Sequence, residues 1–145
     1  MTNKPIVEAL QIVLADSYAL YAKTQNYHWN VEGPNFKTLH LLFEEQYTDL
    51  VVAIDTIAEL IRGLGEKVQG TLETYIKNTS INSGNETLSA NQMIKELIED
   101  NNIVQKTLNN ALKIAQEASD EVVIGFIIER LTIHRKAIWM LNSSI

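Results

Sequence analysis

The sequence predicts an all-α protein, four helices folded as a bundle with one long crossover connection between the second and third. Three observations carry this. Apolar residues recur at helical spacing through four segments of the 145-residue chain. Glycine and proline breaks close the first two segments. A polar stretch at 66–87 then separates the second segment from the third.

The first segment carries Val7, Leu10, Leu14, Ser17 and Tyr21 on one stripe and reaches His28. Pro5 falls in its first turn, where the missing N–H does no harm. Gly33-Pro34 ends it, because the residue before a proline is pushed out of the α region. The second stripe is Phe36, Phe43, Tyr47, Leu50, Ile54, Ile57 and Ile61, stopping at "RGLG", where Gly63 and Gly65 supply a C-terminal stop. Within the polar stretch, "LETYIKN" predicts a short helical turn. The third helix carries Ile94, Leu97, Ile98, Val104, Leu108, Ala111 and Leu112, and the fourth Val123, Phe126, Ile127, Leu131, Ile138 and Leu141. Asp120 is placed at the start of the fourth, where a carboxylate suits unpaired N–H groups. The crossover lets the second and third helices run parallel. By length, residues 1–145 are one domain.

Composition narrows the chemistry. Zero cysteines exclude disulfides, thiolate zinc sites and thiol catalysis, which fits a reducing cytoplasm. No apolar run approaches the roughly 18 residues of a membrane span, and no signal-peptide pattern opens the chain. The net charge of −6 favours binding cations over nucleic-acid phosphates.

His28 and His40 stand six residues either side of the Gly-Pro break. If the first two helices fold back there, the imidazoles lie at one level and begin a metal site. The plain alternative is that each is a satisfied core or surface histidine. Glu44 follows His40 by four residues, and Asp55 and Glu59 form another i, i+4 pair. At about 100° per residue, these acids fall roughly 40°, 60° and 100° around the helix from His40, on a rim beside the core stripe. Leu41, Val51, Val52 and Ala58 share that sector and should seek a second surface. Distance then decides. His40 and Asp55 are fifteen residues apart, about 22 Å along one helix, whereas metal–ligand bonds are near 2 Å. One chain cannot close this shell. A two-fold axis setting two second helices antiparallel creates it twice. The Glu-x-x-His pairs that hold metals inside a single bundle are absent.

These residues carry a resemblance. "HWNVEGPNFKTLH" followed by "DTIAE", with "RGLGEKVQGT" and "WML" in support, resembles the signature of the Dps family, the miniferritins, over most of the chain. The resemblance implies a ferritin-like bundle and a hollow dodecamer. It also implies oxidation of Fe(II), usually by hydrogen peroxide, with ferric mineral stored inside as protection against oxidative stress. By matching positions, His28 and His40 come from one subunit and Asp55 and Glu59 from its two-fold partner, with Glu44 beside the site. Trp29 matches an aromatic near the iron centre, where it would intercept stray oxidising equivalents or merely pack at the helix end. Zinc and other divalent metals suit the same ligands. Neutral histidines are required, so loading should weaken below about pH 6.

Three positions depart from the family pattern. Leu60 stands where arginine is common, and Gly125 and Arg135 replace residues often acidic. Glu117, Asp120 and Glu121 would line an iron entry pore or serve as a helix N-terminus and solvated surface. "MTNK" is no lysine-rich tail, so weak or absent DNA binding is expected. The rival readings are a DNA-binding protective protein with minor iron chemistry and a structural helical bundle with incidental histidines. A haem bundle is weaker, since nothing marks an axial pair.

Overall fold

The computed structural model describes residues 3–145, so Met1 and Thr2 of the "MTNK" opening lie outside the described residues. Five helices follow in order: α1 Lys4–Asn30, α2 Phe36–Gly63, the short α3 Leu72–Asn78, α4 Ala90–Glu117 and α5 Glu121–Asn142. The four long ones are those the periodicity predicts, and "LETYIKN" is α3. α1 packs against α2, α4 and α3, while α4 packs against α5. This is a four-helix bundle whose long crossover, residues 64–89, contains α3.

The core is built from the predicted stripes. Leu10, Leu14, Phe43, Ile57, Ile61, Leu97, Val104, Leu108 and Ile127 are fully buried, each stabilising the fold by about 1.5–3 kcal/mol relative to exposure. Phe36 departs from its stripe and is 43% exposed. Its angle matches Phe43, but it lies in the first turn of α2, at the end of the bundle, where angle alone does not bury a side chain.

Each long connection has a physical terminus. At the end of α2, Gly65 takes φ +90, its N–H bonding Arg62 O while the Glu66 N–H bonds Ile61 O, a Schellman stop. Ser89 caps α4 in a reciprocal capping box with Gln92. Asp120 caps α5 by accepting from the Val123 N–H, as the sequence predicts. The crossover is tied down by buried polar groups on α1. Asp16 accepts from Thr79 Oγ1 (2.6 Å), Ser80 N (3.1 Å) and, on α4, Thr107 Oγ1 (2.6 Å). Gln11 bonds both main-chain groups of Gln69.

Candidate metal centre

The break at Gly33-Pro34 turns the chain so that α1 and α2 form a hairpin, and Gly33 takes φ +120 in that turn. His28, in the last turn of α1, thereby meets His40 on α2. Their rings stack with centroids 3.8 Å apart and 14° between planes. His28 Nδ1 lies 2.7 Å from His40 O, and His40 Nδ1 lies 2.7 Å from His28 O. A carbonyl oxygen only accepts, so each Nδ1 is the donor, which leaves Nε2 as the ring nitrogen turned to any metal. Metal-binding imidazoles are commonly oriented this way, by a bond from the other ring nitrogen. His28 is buried and His40 half-buried. The Tyr47 and His28 rings meet edge to face, their centroids 5.1 Å apart. Tyr47 reads from sequence as a core residue, and only its place two turns after His40 hints at this contact.

Asp55 and Glu59 lie far along the same unbroken helix, both exposed. Glu59 shares a hydrogen bond with the Asp55 carboxyl, and that bond and the Asp55 charge raise its pKa above the ordinary carboxylate range. A cation held between two carboxylates crowded in this way would relieve their mutual repulsion. Among the described residues, no three His, Asp or Glu side chains of this chain converge as a metal site. The hairpin therefore joins the two imidazoles, and the i, i+4 spacing joins the two acids. The halves stay about 22 Å apart along α2. Glu44 is exposed one turn beyond His40. Between the halves, Leu41 (46%), Val51 (45%) and Val52 (65%) stand exposed, with Ala58 half-buried.

Other predicted residues fall outside these two halves. Trp29 points outward, 64% exposed, and its ring stacks on no other described aromatic. Glu117 and Glu121 are exposed, while the Asp120 carboxylate is engaged as the α5 cap. Leu60 is half-buried against the core, and Gly125 and Arg135 are exposed. Sequence patterning misses one interior cluster. Arg130 on α5 is buried, pairs with Asp49 (2.9 Å) and lies 3.2 Å from His134 Nε2. His134 Nδ1 donates to Asn101 Oδ1 at 2.8 Å. A guanidinium thus fills part of the bundle interior. Arg130 and His134 are an i, i+4 pair, but no spacing rule joins them to Asp49 and Asn101, so only the fold reveals the cluster.

A four-helix bundle with this long crossover, its imidazoles paired across the α1–α2 hairpin and its carboxylates further along α2, defines a ferritin-like helical protein. The Ferritin-like domain model matches residues 7–145. The "DNA protection during starvation protein 2" of Bacillus anthracis is 35% identical over 141 residues, covering 97% of each chain. The crystal structure of Dps from Staphylococcus aureus superposes with a TM-score of 0.95 at 34% identity, covering 99% of this chain and 96% of that one. A Dps from Vibrio cholerae O1, described as a member of a broad superfamily of ferritin-like diiron-carboxylate proteins, gives 0.93 at 30% identity over 97% and 89%. The chain belongs to the Dps family of ferritin-like proteins. No helix in the described residues is long and apolar enough to cross a membrane.

Proposed function

We propose that this chain is a ferroxidase and iron-storage protein of the cytoplasm, acting as one domain. Its sites are shared across two-fold interfaces of a hollow dodecamer. The observation that carries this reading is the division of α2. Two imidazoles whose Nδ1 atoms are tied to backbone carbonyls stand at one end, and a mutually repelling acid pair stands at the other. An antiparallel partner α2 sets the acids of one subunit beside the histidines of the next, and the exposed Leu41, Val51 and Val52 are covered on the way.

Ferrous iron is the substrate. Imidazole and carboxylate suit Fe(II), and the carboxylate charge favours the ferric product. His28 and His40 bind through Nε2, and Asp55 and Glu59 supply carboxylate oxygens. Glu44 stands by as a further oxygen donor. Hydrogen peroxide accepts one electron from each of two ferrous ions and its O–O bond breaks. Hydrolysis then yields ferric oxo-hydroxide and protons, and the mineral collects in the cavity. Zinc would compete for the same four side chains.

Mixed assembly tests the sharing. One variant lacks both histidines (His28→Ala, His40→Ala) and another lacks both acids (Asp55→Ala, Glu59→Ala). Each alone should oxidise ferrous iron with peroxide barely above background. In a mixed two-fold dimer, one of two centres regains all four ligands, so activity returns. No recovery after mixing is confirmed by mass would place the chemistry elsewhere. A second reading, protection by direct DNA contact, is favoured by the name of the Bacillus anthracis relative. The net charge of −6 opposes it. A retarded complex in a gel shift at low salt would decide for it.

A further inference from the structure

Seven rings follow one another from the first turn of α2 to α3. Phe36 lies 5.1 Å from His40, His40 3.8 Å from His28, and His28 5.1 Å from Tyr47. The series continues from Tyr47 to Tyr21 at 6.0 Å, from Tyr21 to Tyr18 at 5.8 Å, and from Tyr18 to Tyr75, stacked at 4.4 Å. Four of the five tyrosines in the chain belong to it.

Packing would be served as well by phenylalanine, yet each of these four positions carries a phenol. All four rings are half-buried. None of their hydroxyls bonds another described residue or stands among the buried unpaired polar atoms, so each reaches solvent. Tyr27 is the contrast. It is fully buried, donates to Glu96 and accepts from the Asn85 N–H at 3.1 Å. A buried phenol satisfied on both sides is structural. Solvent-reaching phenols in ring contact have what one-electron transfer needs: short ring-to-ring steps, and water to take and return the proton.

We propose that Tyr47, Tyr21, Tyr18 and Tyr75 form a relay carrying one-electron oxidising equivalents from the His28–His40 end of the hairpin to α3. The relay rests on the ferrous-oxidation reading for its natural source of oxidant. When peroxide meets a single ferrous ion, one electron is transferred and the O–O bond breaks to hydroxide and hydroxyl radical. The radical takes a hydrogen atom from the Tyr47 phenol, giving water and a tyrosyl radical. An electron then passes from the Tyr21 ring to Tyr47. Tyr21 releases its proton to water and Tyr47 recovers one, and the same exchange repeats to Tyr18 and Tyr75. At Tyr75 a second ferrous ion supplies an electron and water a proton, leaving phenol and Fe(III). The damaging equivalent ends as a further oxidised iron and not as a broken chain.

Two arms test this on the assembled protein. In the first, ferrous ion and peroxide react with a nitroso spin trap present, and adducts are mapped by peptide mass spectrometry while ferrous loss is followed in the same samples. In the second, no iron is used. A ruthenium photo-oxidant is attached at Phe36→Cys, a unique thiol in a chain without cysteine, and is flash-oxidised with a sacrificial acceptor. In both arms the parent protein should carry adduct on Tyr75. With Tyr18→Phe, whose ring keeps the stacking but is too hard to oxidise to serve as a step, the Tyr75 adduct should be lost. Adducts on Tyr47 and Tyr21 should then grow, with the ferrous oxidation rate unchanged. Adduct that persists on Tyr75 in Tyr18→Phe, or never reaches Tyr75 in the parent, overturns the relay. A redistribution seen only under light, with no ferrous oxidation in the parent, upholds the relay and sinks the ferroxidase reading instead.

Discussion

His134 should set the acid limb of stability. It is 3% exposed, and burial together with the neighbouring Arg130 cation pushes its pKa from 6.5 down to about 3. Because Nδ1 donates to Asn101 Oδ1, Nε2 accepts from Arg130, so the ring is held neutral. The folded pKa lies below the unfolded one. The stabilisation is therefore complete above 6.5 and is lost as pH falls toward 3. His134→Gln should flatten the acid limb of a plot of thermal midpoint against pH. It should also lower stability at neutral pH by about 1–3 kcal/mol, since Arg130 and Asn101 lose a partner. An acid limb identical to that of the parent would show that another group sets it. At this scale the sequence reveals unequal amounts. His28 and His40 are legible because a Gly-Pro break centres them, and the acids because helix arithmetic counts them off. The bonds that fix both imidazole tautomers are not legible, since backbone carbonyls leave no mark in residue identity. Tyr47 reads as core because its angle on α2 is that of the core stripe.

The helices end where local chemistry ends them, and one end is strained. At the close of α4, the Ser119 N–H bonds Gln116 O and the Asp120 N–H bonds Ala115 O, the same stop that Gly65 makes after α2. Here the left-handed position, at φ 54, is held by serine. Ser119→Gly removes the Cβ strain and should raise stability by about 1 kcal/mol, visible as a higher urea midpoint with unchanged slope. A fall would mean that the added freedom of the unfolded chain outweighs that strain. The contrast explains what periodicity could resolve. "RGLG" announces its stop, whereas the α4–α5 corner has no glycine and is marked only by the capping carboxylate of Asp120. The crossover was visible as a polar stretch. Its anchoring was not, because Asp16 meets Thr79 and Thr107 across 63 and 91 residues of chain.

At the scale of the molecule, the exposed rim of α2 is where the proposed two-fold partner would dock. Leu41, Val51 and Val52 form an uncovered apolar band flanked by acids, the pattern expected of an interface. Val52→Glu should convert the native assembly to smaller species in mass measurement, leave the helix content intact, and abolish ferrous oxidation along with the lost partner. An oligomer of unchanged mass would mean that a different face assembles. Each imidazole at the hairpin is moored to the main chain beside the other, so half of the proposed coordination shell is rigid before two subunits meet. In the proposed shared site, little side-chain freedom would be left to surrender when an ion binds, so its binding would also hold the neighbours together. Reciprocity then requires assembly to sharpen the hunger for metal by the same factor with which metal tightens assembly. On the proposed arrangement, an assembly stripped of metal should dissociate more readily than one supplied with it.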